Sequence, residues 1–100
     1  MSLKGKIAIV TGCSKGIGLT TTIALLNKGV KVAGWSRTRP DLTHKEFTHF
    51  QTDVSNHESV QESFQRTVIK YGQPDILVNN AGLGYASEFE VLDTAKWLEM

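Results

Sequence analysis

The sequence contains few of the features that direct a protein to an oxidising compartment or to a membrane. Only one of its 100 residues is a cysteine, Cys13, so no disulfide can form within the chain, and a reducing compartment suits such a chain best. No apolar run approaches the roughly 18 residues that a membrane-spanning helix requires, and the opening MSLKGK lacks the apolar segment of a signal peptide. We therefore expect a cytoplasmic protein with no membrane partner.

An excess of charge of one sign is also lacking. The chain carries 11 Lys and Arg residues against 10 Asp and Glu residues, a formal net charge of +1. Nucleic-acid-binding proteins usually carry a clear basic excess or stripe, so we expect no nucleic-acid partner. With 40% hydrophobic and 21% charged residues, the composition is that of one soluble globular unit.

Strand-like and helix-like segments alternate along the chain. Short apolar or β-branched runs predict strands at 6–11, 30–36, 46–54 and 75–82. The first helix is predicted after the first strand, with one face formed by Leu19, Ile23 and Leu26, and it ends before Gly29. Between residues 37 and 45 the chain is too polar and too short for a full crossover helix, so we expect a loop with at most one helical turn.

The second helix is predicted to begin at a capping box formed by Ser55 and Glu58 and to end at Gly72. Its apolar stripe consists of Val60, Phe64, Val68 and Tyr71. A third helix, capped by Asp93 or Thr94, is predicted to carry Trp97 and Leu98.

This alternation predicts an α/β fold with a parallel sheet and helices on its faces. Right-handed crossovers then give the first half of a Rossmann-type doubly wound fold, with strand order 3-2-1-4. In that order the fourth strand, DILVNN, lies at an edge of the sheet although it is apolar on both faces, which predicts marginal stability for these 100 residues alone.

The stretch VTGCSKGIGLTTT joins the first strand to the first helix and contains three glycines. A glycine loop before a helix N-terminus makes an anion site, because backbone N–H groups point outward and the helix dipole adds positive charge. We expect Gly12 to make the turn, Gly16 to admit a phosphate close to the backbone, and Gly18 to let the helix lie close to the strand. A P-loop is excluded because Leu19, not lysine, follows Gly18, and the spacing G-x-x-x-G-x-G also differs from G-x-G-x-x-G.

Three motifs in order resemble the short-chain dehydrogenases/reductases: TGCSKGIG after the first strand, DV after the third and NNAG after the fourth. The resemblance covers essentially the whole chain but less than half of a family member. The opening GKIAIVTGCSKGIG is similar to that of 3-oxoacyl-carrier-protein reductases, although many substrate classes share it. The resemblance implies a nicotinamide dinucleotide cofactor, a small-molecule alcohol or carbonyl substrate, and a homo-oligomer in complete form.

By the same resemblance, two sets of residues contact the cofactor. Those near the pyrophosphate and adenosine ribose are Gly12, Ser14, Gly16, Ile17 and Gly18. Those near the adenine and the middle of the cofactor are Asp53, Val54, Asn80, Ala81 and Gly82. Asn79 is implied to help hold the sheet. Without the resemblance, Asp53 could also be a turn residue at the end of a strand, with no contact to a cofactor.

The end of the second strand bears on the choice between NAD and NADP. An NAD site typically has an Asp or Glu about 20 residues past the glycine loop, whereas this chain has Ser36 and Arg37 there and its first acid is Asp41. An arginine fork can bind a 2′-phosphate, and Lys15 in the glycine loop is a second candidate cation. We therefore expect NADP rather than NAD, the alternative being that Arg37 and Lys15 are ordinary surface charges.

No catalytic residue is predicted among these 100 positions. The family uses a serine, a Tyr-x-x-x-Lys pair and an asparagine, but position +4 from Tyr71 is Asp75 and from Tyr85 is Phe89. We interpret residues 1–100 as a partial dinucleotide-binding domain, truncated before the catalytic half and inactive alone. The function predicted for the complete protein is an NADP(H)-dependent short-chain oxidoreductase, and the alternatives are a dinucleotide sensor without chemistry or a partial subunit completed by another chain.

The remaining reactive or aromatic side chains are interpreted as structural. Cys13 is predicted to be a small packing residue and Trp35 to fill the core. The three histidines, at 44, 49 and 57, lack metal-ligand spacing, so no metal site is predicted.

Overall fold

The structure is a computed structural model that describes residues 2–80 and 90–92. Five strands and two helices follow in chain order: β1 (Ile7–Thr11), α1 (Gly16–Asn27), β2 (Lys31–Ser36), β3 (Phe47–Gln51), α2 (His57–Tyr71), β4 (Ile76–Asn79) and β5 (Glu90–Leu92). The helix predicted from Asp93 or Thr94 lies outside the described residues. No helix within them is long and apolar enough to cross a membrane.

The sheet has the order β3-β2-β1-β4-β5. β1 to β4 are parallel, with Ile9 of β1 opposite Ala33 of β2 and Leu77 of β4, which confirms the predicted Rossmann-type order 3-2-1-4. The expectation that β4 forms the edge is wrong, because β5 pairs antiparallel with it, Val78 opposite Val91. A strand of three residues has too few positions to show a period in the sequence.

The strands bury both faces, each against one helix. Alternate strand residues point to opposite sides, so the sheet separates two apolar clusters. The α1 side contains Ala8, Val10, Cys13, Leu26, Val30, Val32, Phe47 and Val78. The α2 side contains Ile9, Ala33, Trp35 and Leu77, with Phe50, Val60, Phe64 and Tyr71 partly buried against them. The core prediction for Trp35 is confirmed.

The buried face of α1 differs from the predicted one. The positions that pack on the sheet are Gly18, Thr22 and Leu26, whereas Ile23 is 41% exposed. Gly18 packs directly against the Gly12 carbonyl in the turn after β1, so the buried face of α1 begins with the small residues Gly18 and Thr22. The Thr22 hydroxyl is satisfied in this contact because it donates to the Gly18 carbonyl at 2.8 Å.

The predicted capping box of α2 is wrong by one residue. The side chain of Asn56, not that of Ser55, accepts a hydrogen bond from the Ser59 N–H at 2.9 Å. Ser55 instead donates from its hydroxyl to Asp53 at 2.6 Å. The predicted stop is confirmed, since α2 ends at Tyr71 and Gly72 follows with φ of +104°.

Two buried polar positions of α2 supplement its apolar stripe. Ser63 and Thr67 are the most deeply buried residues of the helix. Thr67 accepts a hydrogen bond from the indole N–H of Trp35 at 3.1 Å, and Ser63 lies 2.6 Å from the hydroxyl of Thr52. These bonds fix α2 relative to the ends of β2 and β3. Between β2 and β3 the chain forms no helix, as predicted.

Candidate cofactor site

The carboxyl ends of β1 to β4 meet at one edge of the sheet, as they must in a parallel arrangement. The segments that leave this edge carry the residues predicted to bind a cofactor: Gly12, Ser14, Lys15, Gly16, Ile17 and Gly18 after β1, Ser36 and Arg37 at the end of β2, Asp53 and Val54 after β3, and Asn80 after β4. Ala81 and Gly82, also predicted, lie outside the described residues.

The turn between β1 and α1 depends on two glycines in the left-handed region. Gly12 has φ of +65° and Gly16 has φ of +61°, conformations that cost a residue with a Cβ about 1–2 kcal/mol. The Gly12 N–H donates to the Trp35 carbonyl at 2.8 Å. Lys15, Gly16 and Ile17 are exposed at the outer rim of the turn.

Gly18 allows α1 to pack directly on this turn. A Cβ at Gly18 would overlap the carbonyl oxygen of Gly12 and would lie 2.8 Å from the amide nitrogen of Asn80. The same Asn80 nitrogen donates to the Gly12 carbonyl at 3.4 Å. The close approach predicted for Gly18 is therefore present, and it involves β4 as well as β1.

Thr11 connects the glycine turn to the end of β4, a role that the sequence analysis missed. Its hydroxyl oxygen accepts a hydrogen bond from the Asn80 N–H at 2.8 Å. The hydroxyl proton points toward the Asn79 side-chain oxygen at 3.2 Å and the Val78 carbonyl at 3.4 Å. Asn79 thus takes part in holding the sheet, as the resemblance implied.

The N-terminus of α1 carries no internal cap. Lys15 is the N-cap residue but makes no capping hydrogen bond with its side chain, and the first turn contains no acidic residue. The helix dipole places about half a positive charge at such an end. This end of α1 is therefore electrostatically suited to an anion.

The end of β2 lies next to the glycine turn and is buried. Ser36 is 7% exposed and Cys13 is fully buried. Cys13 fits over Gly34, where a Cβ would lie only 2.6 Å from its sulfur. Burial raises the pKa of the Cys13 thiol, a rise only partly offset by its hydrogen bond to Ser36. Cys13 is therefore a protonated packing residue rather than a nucleophile.

Arg37 and Asp53 lie on the other side of the same edge. Arg37 is exposed and Val54 is 38% exposed. Hydrogen bonds from Ser55 lower the pKa of Asp53, with a smaller contribution from the charge of Arg37. Next to them is an open cleft of about 500 Å³, lined by Arg37, Gln51, Asp53, Asn56, Glu58, Ser59, Glu62, Ser63 and Arg66.

Within the described ranges, no group of three or more His, Cys, Asp or Glu side chains is arranged to hold a metal ion. Tyr71 uses its hydroxyl on the α2 side of the sheet, 2.8 Å from the Thr48 hydroxyl, and burial raises its pKa. Tyr71 is the last residue of α2, and its partner Thr48 lies near the start of β3, away from the carboxyl edge. Tyr71 is therefore not part of the candidate site.

Comparisons with known proteins agree with this geometry. The family model for short chain dehydrogenase matches residues 6–100. The 15-hydroxyprostaglandin dehydrogenase of Bos taurus, whose name specifies NAD(+), is 36% identical over 101 residues, which cover 90% of this chain and 38% of that protein.

Solved structures give the same result. The ligand-free aldohexose dehydrogenase of Thermoplasma acidophilum matches with a TM-score of 0.76 and 32% identity, over 97% of this chain and 37% of that one. A short chain dehydrogenase of Leptospira borgpetersenii with bound NAD+ matches with a TM-score of 0.75 and 26% identity, over 82% of this chain and 33% of that one. The chain thus spans well under half the length of these relatives, and it belongs to the short-chain dehydrogenase family.

Proposed function

We propose that residues 1–100 form the cofactor-binding part of an NADP(H)-dependent oxidoreductase that interconverts an alcohol and a carbonyl. The observation that carries the proposal is the uncapped N-terminus of α1, which emerges from a glycine turn at the carboxyl edge of a parallel sheet. An anion bound there gains both free N–H donors and the helix dipole. In this family the anion is the pyrophosphate of a nicotinamide dinucleotide.

The residues at this edge fit such a cofactor. Gly12 makes the turn and Gly18 lets α1 pack on it, while Gly16 has open space at the position of a Cβ, where a phosphate could approach the backbone. Ser14 and Ile17 lie in the same turn. Asp53 and Val54 would contact the adenine, and the chain from Asn80 through Ala81 and Gly82 would follow the middle of the cofactor. When bound, the nicotinamide supplies the hydride acceptor or donor.

The preference for NADP rests on the end of β2. No carboxylate is present there to accept the ribose hydroxyls, and the last buried residue, Ser36, is followed by the exposed Arg37. A charge-assisted hydrogen bond contributes roughly 1.5–3 kcal/mol, which corresponds to about a tenfold to a hundredfold change in affinity. Two of the relatives described above have names or titles that specify NAD+, so the proposal separates this chain from them.

Arg37→Ala in the complete protein tests the proposal. Dissociation constants for NADPH and NADH are measured by titration calorimetry for the wild type and the variant. We expect about a tenfold to a hundredfold loss for NADPH and less than about a twofold loss for NADH. The control is Lys28→Ala, which removes one exposed cation at the opposite end of α1. Equal losses for both dinucleotides after Arg37→Ala would contradict the preference for NADP.

The proton donor of the reaction is proposed to lie outside these 100 positions. Neither tyrosine is followed four residues later by a lysine, and Tyr71 is engaged by Thr48. If the complete protein, of which these residues are a part, oxidises NADPH with a carbonyl substrate, the enzyme is supported. If it binds NADPH tightly but shows no turnover with any carbonyl compound, a dinucleotide sensor is supported instead.

A further inference from the structure

A polar junction built on the buried residues Ser36 and Cys13 lies between the glycine turn and the loop after β2. The hydroxyl oxygen of Ser36 is at its centre. It lies 2.6 Å from the Thr38 carbonyl, 2.9 Å from Nε2 of His49 and 3.4 Å from the sulfur of Cys13. Nε2 of His49 also lies 3.1 Å from the Ser36 carbonyl. The junction thus joins β3, the end of β2 and the glycine turn.

Two carbonyls fix the direction of these hydrogen bonds. A carbonyl oxygen only accepts, so Nε2 of His49 carries a hydrogen and donates it to Ser36. For the same reason the single hydroxyl proton of Ser36 goes to Thr38. The Ser36 hydroxyl oxygen is then left to accept from His49, and it shares the single Nε2 hydrogen with the Ser36 carbonyl. With this donor in place, rotation of the hydroxyl toward His49 would bring two hydrogens together.

The bond from Ser36 to Thr38 spans the residue between them, Arg37. It closes the turn on which Arg37 is carried, and His49 holds the hydroxyl in the orientation that makes this bond. Burial lowers the pKa of His49, a shift that the hydrogen bond to the Ser36 carbonyl partly offsets and that the charge of Arg39 slightly reinforces. The ring is therefore neutral near pH 7, and its hydrogen is on Nε2, where the geometry requires it.

We propose that His49 is a positioning residue for the adenosine end of the cofactor, because it fixes the turn from which Arg37 reaches the 2′-phosphate. His49 itself contacts no cofactor in this proposal. The inference rests on the proposed function, since it needs Arg37 to bind that phosphate. It adds a residue of β3 to the determinants of coenzyme choice.

A merely structural role of His49 would have a different consequence. General loosening of β3 would weaken NADPH and NADH alike, because both share the pyrophosphate and the adenine. A positioning role acts only through Arg37, so it affects the dinucleotide that carries the 2′-phosphate. The ratio of the two dissociation constants therefore separates the two roles.

The experiment uses two variants of the complete protein. His49→Leu removes the donor, and His49→Gln keeps an N–H donor on a side chain of similar reach. Each is also combined with Arg37→Ala. Since one neutral hydrogen bond is involved, we expect His49→Leu to weaken NADPH about 3- to 10-fold and NADH less than about twofold. His49→Gln should restore NADPH affinity to within about twofold of wild type. In the Arg37→Ala background, His49→Leu should have no further effect on NADPH.

His44→Leu is the matched control. The His44 ring also holds a loop, by accepting the Glu46 N–H at 3.0 Å, but it precedes β3 at the opposite edge of the sheet. It should leave the ratio of the two dissociation constants unchanged. If His49→Leu does not fold, His49→Ala removes the same donor without adding a large apolar side chain and carries the same expectation.

The possible failures are distinguishable. If Arg37→Ala leaves NADPH affinity intact, the preference for NADP is wrong and the role of His49 is refuted with it. If Arg37→Ala acts as expected but His49→Leu weakens both dinucleotides equally, the proposed function stands and the positioning role alone is refuted. The same holds if His49→Gln behaves like His49→Leu.

Discussion

The N-termini of α1 and α2 lie at the same edge of the sheet but are built in opposite ways. α2 closes its own end, because Asn56 accepts the Ser59 N–H at 2.9 Å and Glu58 places a negative charge in the first turn. α1 has neither a side-chain cap nor an acid in its first turn, and its N-cap residue is the cation Lys15.

This difference separates a helix end that stabilises the fold from one that is suited to a ligand. Capping side chains contribute typically about 1 kcal/mol each, so α1 gives up this stabilisation in the free protein. The N–H groups of its first turn, which have no partner within the helix, and the helix dipole are then available to an anion. The glycines before α1 have the complementary property of keeping that anion close to the backbone.

Gly18→Ala should break the ligand-binding end most severely. Its Cβ would overlap the Gly12 carbonyl, which is backbone and cannot rotate away, so α1 must move off the turn. We expect binding of NADPH and NADH to fall below detection in calorimetry. Overpacking should also lower the free energy of unfolding by about 1–3 kcal/mol in a urea titration.

Gly5→Ala is the control for this substitution. Gly5 has φ of +81° but nothing within 4 Å of an added Cβ, so it adds backbone strain of about 1–2 kcal/mol away from the site. It should leave both dissociation constants within about twofold. Normal binding by Gly18→Ala would contradict the assigned role of the close approach.

Lys15→Asp gives α1 a side-chain N-cap like that of α2. Lys15 has the extended conformation of an N-cap residue, with φ of −161° and ψ of 171°, so an aspartate there can accept an N–H of the first turn. The free protein should gain about 0.5–1 kcal/mol of stability, seen as a higher Tm. NADPH and NADH should both bind about tenfold more weakly or worse, since the carboxylate occupies the N–H donors and repels the pyrophosphate.

Lys15→Ala distinguishes this effect from simple loss of the cation. It removes the positive charge without adding a competing acceptor, so it should weaken binding less than Lys15→Asp and should not raise the Tm. If the two variants bind equally well, the N-terminus of α1 is not the anion site.

Asn56→Ala tests the other half of the comparison. Removal of the cap leaves the Ser59 N–H without its partner, so the free energy of unfolding should decrease by about 1 kcal/mol. Dinucleotide affinity should change by less than about twofold, because the proposed contacts involve the other helix. A large loss of affinity without a comparable loss of stability would show that α2 also takes part in binding.

The sequence was sufficient for the parts of this molecule that depend on period and spacing. The parallel order 3-2-1-4 follows from the alternation of elements, and the glycine turn follows from Gly12, Gly16 and Gly18. The cap of α2 was misplaced by one residue because Ser55 and Asn56 are both good caps, and only the bond from Ser55 to Asp53 decides between them.

The roles of Thr11 and His49 could not be predicted for a different reason. Each acts through partners that are distant in sequence, Asn80 for Thr11 and Ser36 for His49. Local spacing contains no information on such pairs. For His49 the only available indication was its position two residues after Phe47, which places both side chains on the same face of β3.

Ser55→Ala should give the smallest effect and sharpen the description of the segment before α2. The two hydrogen bonds from Ser55, at 2.6 Å and 3.0 Å, are the main cause of the lowered pKa of Asp53. Ser55→Ala removes the hydroxyl bond but leaves the backbone N–H bond, so that pKa should rise part of the way toward its ordinary value of 3.8, as measured by NMR titration of the carboxyl carbon. A pKa lowered in the folded state stabilises above the unfolded value and loses this contribution as the pH falls through the folded one. The wild type should therefore lose stability below about pH 4 more steeply than the variant. Ser14→Ala, the matched serine before α1, should leave the pKa of Asp53 unchanged, and an unchanged value in Ser55→Ala itself would show that the Ser55 hydroxyl does not hold the carboxylate.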